Sequence, residues 1–182
     1  MLWPFNHFRK PRLAPPGTIE TIYGMIVTQA REPLFYRDLG VPDTVNGRFD
    51  LVLLHLWMML RHLRGLPGGA ELSQALFDHF CADMDANLRE MAVGDLTVPK
   101  KMQVLGEAFY GRSAAYDMAL TDNVEALAQA IGRNVLDGEQ IDNARRLAVY
   151  TQAAIASLDR ESDPGRLGVT WKFPMPLVEG AS

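Results

Sequence analysis

An all-α fold is what three observations in this chain of 182 residues predict. Apolar residues recur at three-to-four spacing along its middle, and residues that stop and start helices separate those stretches. No two alternating segments are available to pair as a sheet. The expected architecture is a single compact helical domain of about six to seven helices over residues 18–160. An aromatic-basic arm, residues 1–17, precedes it, and a Pro/Gly-rich tail, residues 161–182, follows.

The arm holds Pro4, Pro11, Pro15, Pro16 and Gly17, which exclude regular structure. Thr18 is placed to cap a first helix from Ile19 to Arg31, with Glu20 in its first turn. Pro33 opens a short helix, Leu34 to Leu39, stopped by Gly40 and Pro42. The third helix runs from Gly47 to Arg64, terminated by Gly65. Its centre, LVLLHLWMML, is apolar around the whole circumference, so it belongs at the middle of the domain or under an apolar partner. The fourth, Ala70 to Val93, carries Leu72, Leu76, Phe80, Met84, Leu88 and Met91 on one face, and Gly94 is placed to end it in a left-handed turn. Thr97 caps the fifth, which accepts Pro99 in its first turn and reaches Leu120. Asp122 caps the sixth, to Val135, before an Asp137-Gly138 turn. The seventh spans Glu139 to Arg160. In the tail, Val169 to Phe173 alternates but has no sheet to join, and extended coil is expected.

The net charge of −4 divides unevenly: residues 1–18 carry +3 and the remainder −7. An acidic body excludes general nucleic-acid binding, which needs clustered Lys and Arg to neutralise phosphates. The single cysteine, Cys81, cannot make an internal disulfide and suits a reducing compartment. No secretory signal is expected from the first residues, and the most apolar run, Phe49 to Leu60, is too short to span a membrane and contains Asp50 and His55. The expected location is cytoplasmic. Trp3, Phe5 and Phe8 beside Arg9, Lys10 and Arg12 fit weak, peripheral contact of residues 1–12 with the cytoplasmic face of the inner membrane.

Catalytic and metal chemistry find little support. His55 and His62 are seven apart rather than the four usual for a helical metal pair, and His79 has only Asp83 on its face. Partly exposed polar histidines are the expectation. A helical haem- or metal-binding protein using His55, His62 or His79 is the alternative. Cys81 falls in an apolar stripe, where thiols are inert. Asp83 and Asp85 diverge on their helix and are expected to solvate the surface. Lys100 and Lys101 sit in the first turn of a helix, where the macrodipole disfavours cations by a few tenths of a kcal/mol each. Asp95 is placed to offset one of them, and a basic pair there also suits an acidic or polar partner. Gly106 and Gly111, with Ala108, Ala114 and Ala115, suggest close helix–helix approach.

The most specific stretch is Met84 to Arg112, MDANLREMAVGDLTVPKKMQVLGEAFYGR. Its pieces are Arg89-Glu90-Met91, Val93-Gly94-Asp95-Leu96, Val98, Lys100 and Phe109-Tyr110-Gly111-Arg112. In these, and more weakly in Arg48-Phe49, Leu76-Phe77 and Asp83-Met84-Asp85, the chain from Tyr23 to Leu120 resembles the ubiquinol–cytochrome c chaperone family. Ala92 stands where that likeness leads one to expect glycine. The resemblance implies a helical, non-enzymatic assembly factor without a cofactor. Such a factor binds newly synthesised cytochrome b and promotes assembly of ubiquinol–cytochrome c reductase, with a second small assembly factor as a further partner. On that reading Met91, Val93, Leu96, Met102, Phe109 and Tyr110 form an apolar client patch, and Arg89, Asp95, Lys100 and Arg112 orient the client at its rim. Met side chains repack around different apolar ligands, which suits such a surface.

Overall fold

A computed structural model describes residues 15–91, 94–136, 138 and 140–176. The described residues form seven α-helices: α1 (Thr18–Ala30), α2 (Pro33–Arg37), α3 (Val45–Gly65), α4 (Gly69–Glu90), α5 (Val98–Asp122), α6 (Val124–Val135) and α7 (Ile141–Leu158). A 3-10 turn, Pro164–Arg166, follows them. The described residues contain no strand, only an isolated bridge between Leu167 and Trp171. The all-α expectation holds.

The third helix is the axis. Every residue of α3 from Leu53 to Leu60 is buried, so for two full turns no face meets water. Covering such a helix takes several partners, and α1, α4, α6 and α7 all pack against it. Met58 and Met59 fill this core, with at most 1% exposure. From the side, α5 adds Tyr116, whose ring lies 5.1 Å from that of Trp57, and Trp57 Nε1 donates to Asp117 at 2.9 Å.

One polar side chain lies at the heart of this apolar core. His55 is fully buried, with Nδ1 2.7 Å from the Leu51 carbonyl and Nε2 2.8 Å from the Tyr150 hydroxyl. A carbonyl only accepts, so Nδ1 carries the proton and Nε2 of the neutral ring accepts from Tyr150. Gln29 Nε2 donates to Tyr150 Oη at 3.1 Å and to the Pro174 carbonyl at 3.0 Å. The rings of Phe35 and Phe173 close over the imidazole at 5.5 and 4.9 Å. Thus α1, α2, α3, α7 and the segment after the 3-10 turn converge on one buried network. The partly exposed histidines expected from sequence are corrected here: His55 and His62 are both buried, His62 with Nδ1 4.0 Å from Asp159.

Several local expectations also shift. Gly17, at φ 82°, is the N-cap of α1, while Thr18 is already helical and donates its hydroxyl to the Pro15 carbonyl. Gly65 is the last helical residue of α3, and the left-handed turn falls at Gly68, φ 73°. Asn123, not Asp122, caps α6 by accepting from the Ala126 amide. Thr97 precedes α5 without a side-chain cap bond. The fourth helix ends at Glu90, and the Gly94 carbonyl accepts from the Thr97 and Val98 amides, so that glycine starts α5 rather than finishing α4. α7 begins at Ile141, and Glu139 and Asp137 lie outside the described residues.

Burial lowers the His55 pKa from 6.5 to about 4, and burial lowers that of His62 too. The unfolded chain therefore takes up a proton near 6.5 while the folded one resists until about 4. Stability present above pH 6.5 is lost as pH falls toward 4, by about 3 kcal/mol from His55 at the limit. Urea unfolding of the wild type at pH 7 and pH 4.5 should show this loss, and His55→Gln should show a clearly smaller difference between the two. An equal difference in both proteins would refute the assignment.

Candidate functional site

The stretch singled out in the sequence folds as an α-hairpin from α4 and α5. Its base is anchored by aromatic side chains. Phe80 of α4 is buried, stacks against Phe49 of α3 at 6.4 Å and meets Phe109 of α5 at 6.5 Å. Phe77 lies 5.2 Å from Phe109 and 5.6 Å from Tyr110, so four rings make a continuous seam between the helices. Helix α1 braces the hairpin up to its second turn beyond Phe77. The Tyr23 hydroxyl donates to Asp83 Oδ2 at 2.7 Å, and its ring packs edge-on against His79 at 5.0 Å.

Above that brace the hairpin thins. Among the described residues between Phe80 and Phe109, Val98 alone is buried. Met84, Leu88, Met102 and Leu105 are half-buried, whereas Met91 is 64% and Leu96 98% exposed. The tip therefore presents apolar side chains to solvent with only Val98 fully buried beneath them. Isolated exposed apolar residues are ordinary, but clustered ones mark contact surfaces.

The proposed client residues fall into separate groups. Met91 and Leu96 stand at the tip; Val93 lies outside the described residues. Met102 is half-buried along α5. Tyr110 is 61% exposed on the seam, but Phe109 is 4% exposed and lies within the core. Arg89 braces the turn by bonding Asp85 Oδ2 at 2.6 Å and Asp95 Oδ1 at 2.7 Å. Arg112 instead ties α5 to α3 through Asp50, with both side chains mostly covered. Lys100 points elsewhere: along α5 it sits about 160° around the helix from Met102 and about 80° from Tyr110. Met91 and Leu96 thus share the tip with Arg89 and Asp95, and Lys100 lies in the first turn of α5 just beyond them, while Tyr110 on the seam and the Arg112–Asp50 pair stand about 18 Å further along α5.

Three expectations are corrected. Asp83 and Asp85 do not merely solvate the surface, since each holds a partner, Tyr23 and Arg89. Asp95 pairs with Arg89, so it does not offset Lys100 or Lys101, and neither lysine makes an ion pair among the described residues. Gly106 and Gly111 do not mark close packing within the chain, because a Cβ at either would meet nothing within 4 Å. Each costs about 1 kcal/mol relative to alanine in a helix, with no internal contact to explain it.

Hydrogen bonding from Arg89 holds the Asp85 carboxyl below its ordinary value. Burial pushes the Cys81 thiol and the Tyr23 hydroxyl up, away from their reactive anions. Among the described residues no three His, Cys, Asp or Glu side chains cluster in a way that would hold a metal ion. His55 is enclosed by protein on both ring nitrogens.

Sequence reasoning missed the Tyr23–Asp83 bond, the Arg112–Asp50 pair and the seam partner Phe77. The two polar links join residues 60 and 62 positions apart, beyond the reach of helical periodicity. Phe77 carried a signal, being four residues before Cys81 and three before Phe80.

The two arginines should differ sharply on substitution. Arg112→Ala leaves Asp50 in a mostly covered position and should cost about 2–3 kcal/mol, read from urea midpoints. Arg89→Ala at the exposed turn should cost less than about 1 kcal/mol. Reversal of that order would contradict the anchoring role of Arg112.

Comparison with known proteins places this geometry. The model of the family described as ubiquinol-cytochrome C chaperone matches residues 37–168. A Xenopus laevis protein named ubiquinol-cytochrome-c reductase complex assembly factor 1 is 27% identical, over 80% of this chain and 74% of that protein. The mitochondrial protein CBP3 of Saccharomyces cerevisiae is 28% identical, over 80% of this chain and 45% of its own length. The chain thus spans less than half of the yeast relative. A crystal structure of the Cbp3 homolog from Brucella abortus superposes with a TM-score of 0.77 and 35% identity, covering 87% of this chain and 89% of that one. The matched region takes in both helices of the hairpin and the aromatic rings at its base, and the chain belongs to the ubiquinol-cytochrome C chaperone family.

Proposed function

We propose that this chain is a non-enzymatic assembly chaperone that binds newly synthesised cytochrome b and promotes assembly of ubiquinol–cytochrome c reductase. The observation that carries the reading is the thinly supported hairpin tip, in a chain whose relatives are named as assembly factors of that complex. A client of several apolar membrane segments needs its surface shielded before insertion. Exposed Met91 and Leu96, half-buried Met102 and the Tyr110 ring offer flexible apolar contact of that kind. Arg89 and Asp95 hold the turn in shape at their edge and supply a polar rim. Phe109 contributes from beneath, by fixing Phe77 and Tyr110. The work is done at the cytoplasmic face of the inner membrane. No helix among the described residues is long and apolar enough to cross a membrane. The aromatic-basic residues 1–12 provide weak surface attachment, and a second small assembly factor is a further partner.

A photoreactive residue at position 96 should crosslink to cytochrome b during its synthesis, and Met91→Asp with Leu96→Asp should reduce the yield several-fold while leaving the thermal melt unchanged. Deletion of the gene should remove assembled reductase with the cytochrome b transcript intact. Undiminished crosslinking in the double variant would displace the contact from the tip. Normal reductase levels in the deletion strain would overturn the function.

A further inference from the structure

Among the described residues the outward side of α5 has no counterpart, and its residues match themselves in reverse. Lys100, Val104, Gly111, Ala114, Met118 and Asp122 lie within about 80° of arc, roughly opposite the buried Val98, Phe109 and Tyr116. All six are exposed, Val104 by 58% and Met118 by 74%. Val104 and Met118 stand seven residues to either side of Gly111, and Lys100 and Asp122 eleven. A two-fold axis through Gly111 therefore sets Val104 of one copy against Met118 of the other, Ala108 against Ala114, and Lys100 against Asp122.

The charges supply an independent argument. Lys100 opens α5 and Asp122 closes it, each at the end where its own helix dipole opposes it. Among the described residues neither makes an ion pair, unlike Arg89, Arg112 and Asp95 close by. Antiparallel alignment with a second α5 offsets the Lys100 penalty, because that charge then lies beside the opposite pole and opposite Asp122, which already borders the N-terminus of α6. Gly111 marks the crossing point, where the absence of a Cβ lets two backbones approach. Glu107 also lies on this side and accepts from Gln103 at 2.9 Å. The register sets it opposite Ala115, and the two copies' carboxylates stay about 12 Å apart along the axis.

We infer that the outward face of α5 is a self-association surface, on which a second copy of this chain packs antiparallel about Gly111. This pairing is independent of the client reading, since Met91, Leu96, Met102 and Tyr110 lie off that face. One helix pair buries little area, so the dimer is weak and forms at roughly micromolar concentrations or above.

Sedimentation equilibrium of the full chain from about 1 to 300 μM should show a monomer–dimer equilibrium. Lys100→Glu should raise the dissociation constant about tenfold, and Lys100→Glu with Asp122→Lys should recover part of that loss, since the charge pair is remade while the helix poles then oppose it. In a Cys81→Ser background, Gly111→Cys should form a disulfide dimer under mild oxidation. Val104→Cys and Met118→Cys should crosslink when mixed but not alone, since two copies of position 104 stand about 21 Å apart. Positions 100, 104, 111, 118 and 122 are exposed, so each variant is expected to melt with its own parent, which for the cysteine variants is the Cys81→Ser protein because Cys81 is half-buried against the core. A protein monomeric throughout, a charge-swapped variant as dissociated as the single one, or Val104→Cys crosslinking to itself would each overturn the pairing. Cytochrome b crosslinking at position 96 in a strictly monomeric protein would do so while leaving the client reading intact.

Discussion

The neutral imidazole of His55 sets the terms for the rest of the molecule. A polar ring enclosed in an apolar core is tolerable only if both nitrogens are satisfied, and here one faces a carbonyl of its own helix and the other a hydroxyl from α7. That hydroxyl needs Gln29 beside it, which fixes α1, and Gln29 reaches on to Pro174. An all-apolar α3 could rotate or slide among its neighbours at modest cost. With His55 in place only one rotation and one height satisfy the hydrogen bonds, so the helices that carry Tyr150, Gln29 and Phe35 are registered against a single point. Whatever α4 and α5 present to the outside is positioned relative to this fixed frame.

Periodicity made most of that frame legible. The apolar circumference of α3, the single-faced stripe of α4 and the helix breakers between them are local patterns, and each appears in the structure within a few residues. Errors gathered where two local signals compete. Asp122 and Asn123 are adjacent acceptors, and the one that keeps an extended backbone, Asn123, caps α6. Gly94 could end one helix or begin another, and its carbonyl serves the second. The candidate site was legible as a stretch but not as a shape. Phe109 and Tyr110 are neighbours that face the core and the solvent respectively, and only the angle between α4 and α5 decides which. The roles of Arg112 and Asp83 rest on partners some sixty residues away, which no spacing rule reaches.

The hairpin shows how rigidity and exposure can be combined. Its base is fastened by aromatic rings, by Tyr23 on Asp83 and by Arg112 on Asp50, so the apolar tip needs no core of its own. A surface meant to hold varied apolar segments gains from this arrangement. The exposed tip positions are free to repack, while the lever that carries them stays fixed. Exposure of Met91 and Leu96 then costs the fold little, because their burial was never part of its stability.

Phe173 has a consequence in time rather than in space. It closes over His55, and the Pro174 carbonyl completes a bond from Gln29 that spans 145 positions of sequence. The ribosome delivers α1 first and residues 173 and 174 far later, so α3 must wait with its polar centre incompletely enclosed until nearly all of this sequence has emerged. Folding of the domain cannot be finished helix by helix during synthesis. Completion of the core is thus gated by delivery of Phe173 and Pro174, and a chain made only as far as α7 leaves the His55 network open.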